Sequence, residues 1–133
     1  MRTKLFSLLG FVFVVLISAP TFGTDGIRQE STPGEAEFTV LGMCGMCKDR
    51  IERAAYGVRG VRFARWDQDK QLLSVRYRPS RTNQEEIERA VAKVGHDTEN
   101  FLTDEETYKN LHHCCVYPRD PEMLKNNKVH NQP

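Results

Sequence analysis

Hydrophobic and polar positions alternate over Glu37-Phe38-Thr39-Val40-Leu41, which predicts a first strand with Phe38 and Val40 inward. The period then changes. Ile51, Ala54, Ala55 and Val58 recur at helical spacing, and Gly57 and Gly60 close that helix. Val61 to Asp67 returns to alternation, with Ala64 and Trp66 on one face and Trp66 read as core. Gln68-Asp69-Lys70 makes a turn, and Leu73, Val75 and Tyr77 alternate with Ser74 and Arg76 until Pro79. Thr82-Asn83-Gln84-Glu85 reads as a capping box that opens a second helix, with Ile87, Ala90, Val91 and Val94 inside and Gly95 at its end. A short strand over 98–101 completes the order β-α-β-β-α-β. That order predicts an α+β, ferredoxin-like sandwich over 36–102: a four-stranded antiparallel sheet with both helices on one face.

Beyond it, Thr103-Asp104-Glu105-Glu106 reads as a second capping box. It starts a short helix that delivers the chain into His112-His113-Cys114-Cys115, within an extension over 103–120. Pro118 and Pro121 interrupt regular structure, and residues 121–133 are expected to be disordered.

The N-terminus is of another kind. Arg2 and Lys4 precede an apolar run from Leu5 to Ala19, followed by small and turn-forming residues through Gly23, the layout of a cleaved secretory leader over 1–23. An uncleaved membrane anchor is the alternative, for which this run is shorter than the ~20 apolar residues of a spanning helix. Residues 24–35, with Pro33 and Gly34, read as a flexible lead-in.

Charge and composition exclude more than they assign. The 133 residues carry 19 Lys and Arg against 18 Asp and Glu; removing Arg2 and Lys4 with the leader leaves 17 against 18. Such a balance offers no electrostatic footprint for nucleic acid. No Ser/His/Asp set, P-loop or paired catalytic carboxylates stands out, so no enzyme is expected. Export implies an oxidising, periplasmic space, where four cysteines would ordinarily be read as disulfides. CxxC is nevertheless a redox or metal spacing, and adjacent cysteines bridge each other only with strain.

Candidate chemistry therefore gathers in two clusters, Cys44-Gly45-Met46-Cys47 and His112-His113-Cys114-Cys115. Thiolates are soft ligands that select Cu(I) and Hg(II) and, with more donors, Zn(II). The start of the following helix favours negative charge and lowers a nearby thiol pKa, to which Lys48 and Arg50 can add. Met46 can act as a weak thioether ligand or be neutral. His96 lies at the sheet edge where the first strand ends, so it is a candidate third ligand or a solvated neighbour. In the tail, a helix of about eight residues at ~1.5 Å each can return roughly 12 Å. His112, His113, Cys114 and Cys115 would then face Cys44 and Cys47 in one site; a separate cluster or a disulfide is the alternative.

A CxxC between the first strand and first helix of this sandwich resembles the heavy-metal-associated (HMA) domain of copper chaperones, periplasmic mercury-binding proteins and P-type metal ATPases. The likeness runs from Phe38 to Phe101 and rests on Val40-Leu41-Gly42-Met43-Cys44-Gly45-Met46-Cys47, Gly60-Val61 and Gly95-His96-Asp97-Thr98. With Trp66-Asp67 and Cys114-Cys115-Val116-Tyr117, the chain is similar to small exported HMA proteins of Bacteroidetes-type bacteria that end in Cys-Cys-x-Tyr. Two departures stand out. The family's methionine sits two residues before the first cysteine, whereas Met43 is adjacent to Cys44, and His96 replaces a frequent tyrosine. The resemblance implies a Cu(I) chaperone or scavenger, monomeric or bridged by metal into a dimer, whose partner is a metal-transporting ATPase or efflux protein. The rival readings are a thiol-disulfide oxidoreductase using the CxxC and a metal-sensing interaction module of an efflux system.

Overall fold

The structure, a computed structural model, describes residues 32–133. The expected leader over 1–23 and most of the expected lead-in lie outside the described residues, while the lead-in's last two residues, Gly34 and Glu35, are not flexible but already pair in the first strand. Strand β1 (Gly34–Thr39) leads to helix α1 (Gly45–Gly57), strands β2 (Val61–Asp67) and β3 (Leu72–Tyr77), and helix α2 (Gln84–Lys93). The strands form an antiparallel sheet in the order β1-β3-β2, with Leu73 opposite Phe38 on one side and Trp66 on the other. Phe38, Trp66, Leu73 and Val75 form the sheet's share of one core, and Ile51, Ala55, Ile87 and Val91 the helices' share. Each such large apolar side chain contributes ~1.5–3 kcal/mol when fully buried.

Both helix starts slip one residue from the expected boxes. Asn83, not Thr82, caps α2 by accepting from the Glu86 N–H at 2.9 Å, and Thr82 instead donates to the Glu86 carboxylate at 2.7 Å. Asp104, not Thr103, caps α3 (Glu105–Lys109), accepting from Thr107 N–H at 2.8 Å. Where both types are adjacent, the Asn or Asp side chain takes the N-cap, in keeping with its stronger preference there. The buried face of α2 also includes Glu88 and Ala92, whereas Ala90 and Val94 are only half-buried. Glu88 is inside because it accepts from Thr98 Oγ1, Asn100 N–H and Asn100 Nδ2, each at 2.9 Å.

The expected fourth strand is reduced to one antiparallel bridge, Val40 with Thr98, flanked by Leu41 N–H to Asp97 O and Glu99 N–H to Thr39 O, both 2.9 Å. Thr98 then bonds back to Phe101 at 2.7 Å, and this bend turns the chain out of the sheet. The following strand β4 (Phe101–Leu102) pairs in parallel with β5 (Lys128–Val129). The architecture remains the expected α+β, ferredoxin-like sandwich.

The C-terminal residues expected to be disordered are structured. Helix α4 (Pro121–Asn126) is capped by Asp120, and β5 lies on β4. Arg89 lies over the Phe101 ring at 4.2 Å and donates to the carbonyls of His130 (2.7 Å) and Gln132 (2.8 Å). Low hydrophobicity hid this segment, because it is held by main-chain pairing, by Arg89 and by Asn127, whose Nδ2 donates to Thr98 O at 3.2 Å and Glu99 O at 2.7 Å. No described helix is long and apolar enough to cross a membrane.

Candidate metal centre

The CxxC loop is braced from below and from the side. Trp66 is buried under it, donating from Nε1 to Val40 O at 3.0 Å, and a Cβ on Gly42 would stand 3.0 Å from the indole ring and 3.1 Å from Cys47 Cβ. Glycine at 42 thus lets the loop close down on the tryptophan. Two glutamines of the β2–β3 turn hold the loop backbone: Gln71 accepts from Gly42 N–H and Gln68 donates to Met43 O, both at 2.8 Å. Met43 points outward, half exposed. The apolar support beneath the loop is Trp66, not a methionine.

Cys44 occupies the N-cap position of α1 with no side-chain cap bond, and Cys47 lies in the first turn. The 3₁₀ turn His113–Cys115 brings the second pair to the same place. Cys44 Sγ is 3.5 Å from Cys47 Sγ, 3.4 Å from Cys114 Sγ and 3.8 Å from Cys115 Sγ, and the two tail sulfurs are 3.9 Å apart. With metal–sulfur bonds of about 2.3 Å, tetrahedral ligands stand about 3.8 Å apart and a linear pair about 4.6 Å. The observed spacings match a three- or four-sulfur site rather than a linear pair. Cys44, Cys47 and Cys115 have all three sulfurs within 4.8 Å of one another, and Cys44, Cys114 and Cys115 within 3.9 Å. All four cysteines are free thiols.

The thiols divide electrostatically. Burial would raise Cys44, but the Cys47 N–H and the thiols of Cys114, Cys47 and Cys115 outweigh it and bring Cys44 down to about 7. Burial pushes the Cys115 thiol far above the ordinary range, helped by the neighbouring Cys47 and Cys44. Cys114 is raised by its hydrogen bond to Cys44 and by burial. One thiolate is thus ready at neutral pH, while Cys115 holds its proton until a ligand replaces it. Lys48 and Arg50 do not face the sulfurs. Lys48 is paired with Glu52 and donates to Trp66 O at 2.8 Å, and Arg50 reaches Val94 O at 3.4 Å.

The extension is part of the core. Leu111, Cys115 and Tyr117 are buried with the sandwich residues. Leu111 packs on Gly95, whose φ of +107° and lack of a Cβ admit it, since a Cβ there would lie 2.5 Å from Leu111 Cδ2. Tyr117 Oη accepts from Asp97 N–H at 2.7 Å and donates to Gly95 O at 3.1 Å. Arg119 closes the dock with two bonds to the Asp97 carboxylate, at 2.7 and 2.9 Å, and one to Thr103 O at 3.1 Å. These residues hold Cys114 and Cys115 against the CxxC loop. Sequence reasoning missed Asp97, Tyr117 and Arg119; the pairing of a buried Asp with an Arg 22 residues on has no local pattern. The only cue was an aromatic residue two positions after the cysteine pair.

His96 is not with the sulfurs. It is fully buried, Nδ1 donates to Leu41 O at 2.8 Å, and the ring stacks on Tyr117 with centroids 5.7 Å apart. Burial holds its pKa near 4, so the ring is neutral and its Nε2 is left inside without a partner. His112 does reach the cluster, with Nδ1 3.3 Å from Cys114 Sγ, and the ring of His113 packs against that of His112, centroids 4.1 Å apart. Met46 is also there, its sulfur 3.6 Å from Cys114 Sγ.

Residues 37–97 match the profile of the heavy-metal-associated domain. That stretch is thus similar to the heavy-metal-associated domain, and the four-cysteine cluster is built from its CxxC and an extension beyond it. Among solved structures, it is similar to a CopZ metallochaperone at 27% identity, covering 49% of this chain and 98% of that one, with a TM-score of 0.48. It is also similar to the N-terminal domain of a potential copper-translocating P-type ATPase from Bacillus subtilis in the Cu(I)-loaded state (29% identity, 50% and 85% coverage, TM-score 0.48). Oxidized MerP from Ralstonia metallidurans CH34 aligns at 19% identity, 51% and 96% coverage and TM-score 0.49. Comparison with curated protein sequences found no match.

Proposed function

We propose that this protein is an exported carrier of a soft metal ion, with Cu(I) as its cargo, and that all four cysteines hold that ion. The observation that carries the reading is the meeting of four cysteines at the edge of the HMA-like stretch, with Cys44 Sγ 3.4–3.8 Å from the sulfurs of Cys47, Cys114 and Cys115 and the tail pair 3.9 Å apart. The leader-like N-terminus supports export to the periplasm. Cys47 and Cys115 are buried while Cys44 and Cys114 are only partly covered, so an acceptor's thiolate approaches from the Cys44–Cys114 side. Release is then ligand exchange: an incoming sulfur–metal bond forms, a Cys44 or Cys114 bond breaks, and no electrons move. A metal-transporting ATPase or efflux protein presenting thiolates is the fitting acceptor.

Competition titration of the reduced protein against a chromophoric Cu(I) chelator tests this reading. Cys44→Ser with Cys47→Ser should remove tight binding. Cys114→Ser with Cys115→Ser should weaken it by tenfold or more, on the order of 1.4 kcal/mol or above. Wild-type affinity in the Cys44/Cys47 double variant would remove the basis for the proposal.

A further inference from the structure

At the exposed rim of the four-thiol set, two further donors of different type converge on one of its thiols. Cys114 Sγ has Met46 Sδ at 3.6 Å and His112 Nδ1 at 3.3 Å, and the same sulfur stands 3.4 Å from Cys44 Sγ. Met46 and His112 are both exposed, and they come from parts of the chain 66 positions apart in number, the first turn of α1 and the residue before the 3₁₀ turn. We propose that Cys114, Met46 and His112 form a second, outer Cu(I) site, with Cys114 bridging it to the inner ion. This proposal rests on the four-cysteine reading above.

The geometry supports an ion rather than a chance contact. Around a single ion with bonds of about 2.0–2.1 Å to nitrogen and about 2.3 Å to sulfur, donors stand about 3.6–4.0 Å apart. The two observed separations lie within a few tenths of an ångström of that range. His112 Nδ1 otherwise only accepts the N-cap bond from Cys114 N–H, a long one at 3.5 Å that an ion can displace. The inner set already contains the buried Cys47 and Cys115, so the donors divide into a covered group and an exposed one that share a thiolate.

The donor types set selectivity. Thiolate, thioether and imidazole together suit Cu(I), whereas a thioether adds little for Zn(II), which draws on thiolate, imidazole and carboxylate. The inner centre accepts either ion; the outer one is selective. Binding at the outer site leaves oxidation states unchanged, and any proton still on Cys114 leaves to solvent. Two ions at graded exposure give an order of release, outer before inner.

Native mass spectrometry of the reduced, leader-free chain under anaerobic Cu(I) titration counts ions per chain and excludes bridged dimers from the count. The result expected is two Cu(I) per wild-type chain and one Zn(II). Met46→Leu with His112→Asn, which keeps the apolar shape and a capping acceptor, should take up one Cu(I), with the affinity of the remaining ion within about threefold of wild type. Circular dichroism should show that variant folded, because both side chains are exposed. Any Cu(I) count other than two in the wild type, or retention of two in the double variant, overturns the outer site. Absence of all Cu(I) binding by the wild type would instead sink the four-cysteine reading itself.

Discussion

His96 shows how a residue can lie beside a metal loop in topology and still belong to the core. Its backbone is where the strand order placed it, but the side chain turns inward, donates to Leu41 O and stacks on Tyr117. Topology locates a Cα and not a rotamer, so proximity in the sequence reading could not separate ligand from core. The consequence is a pH dependence of the metal-free fold. The folded pKa near 4 lies below the ordinary 6.5, so unfolding takes up a proton between those values. His96 therefore contributes fully above pH 6.5, and the contribution, ~3 kcal/mol, is lost as pH falls to 4. Urea unfolding at pH 7 and pH 4 should show this loss in wild type and a smaller one in His96→Gln. Equal losses would mean that His96 is not held neutral. At the cysteines the sign concerns metal. Cys44 titrates near 7, while Cys115 keeps its proton at neutral pH, so loading at pH 7.5 should release protons. Calorimetry in buffers of different ionisation enthalpy should detect the release and find it reduced in Cys115→Ser.

Among the elements, the strands and helices of the sandwich follow from local periodicity, and β2 spans the expected 61–67. What periodicity could not convey is how the extension docks. Short elements such as α3 and the 3₁₀ turn are held by Leu111 on Gly95, by Tyr117 on Asp97 and Gly95, and by Arg119 on Asp97. The last strand was misjudged for a related reason. The sequence over 98–101 alternates little, and the Glu88 carboxylate stabilises a bend there instead. Because Asp97 is buried and the Arg119 side chain is only 9% exposed, Arg119→Ala leaves a buried carboxylate with no charge partner, only the Thr103 N–H still donating to it, and should cost ~3–5 kcal/mol. Tyr117→Phe strands the Asp97 N–H and the Gly95 carbonyl, at ~1–3 kcal/mol each. Denaturant midpoints check both values. A docking role further requires that folded Tyr117→Phe lose Cu(I) affinity, although Tyr117 touches no sulfur in the cluster.

Across the whole molecule, the sandwich's own C-terminal extension folds back to meet its CxxC loop. Cys44 and Cys114 are 70 positions apart, and the connection between them passes through α2, the Thr98 bend and α3. The two cysteine clusters were visible in the sequence, and the returning helix made their meeting geometrically feasible. That they share one site depends on long-range bonds that no motif encodes. X-ray absorption on the reduced protein loaded with one equivalent of Cu(I) tests this claim most directly, because it counts the sulfurs bound to the ion. The account predicts more than two sulfurs at about 2.3 Å in the wild type, falling to a two-sulfur site in the Cys114→Ser, Cys115→Ser variant. Two sulfurs in the wild type, unchanged by those substitutions, would contradict it.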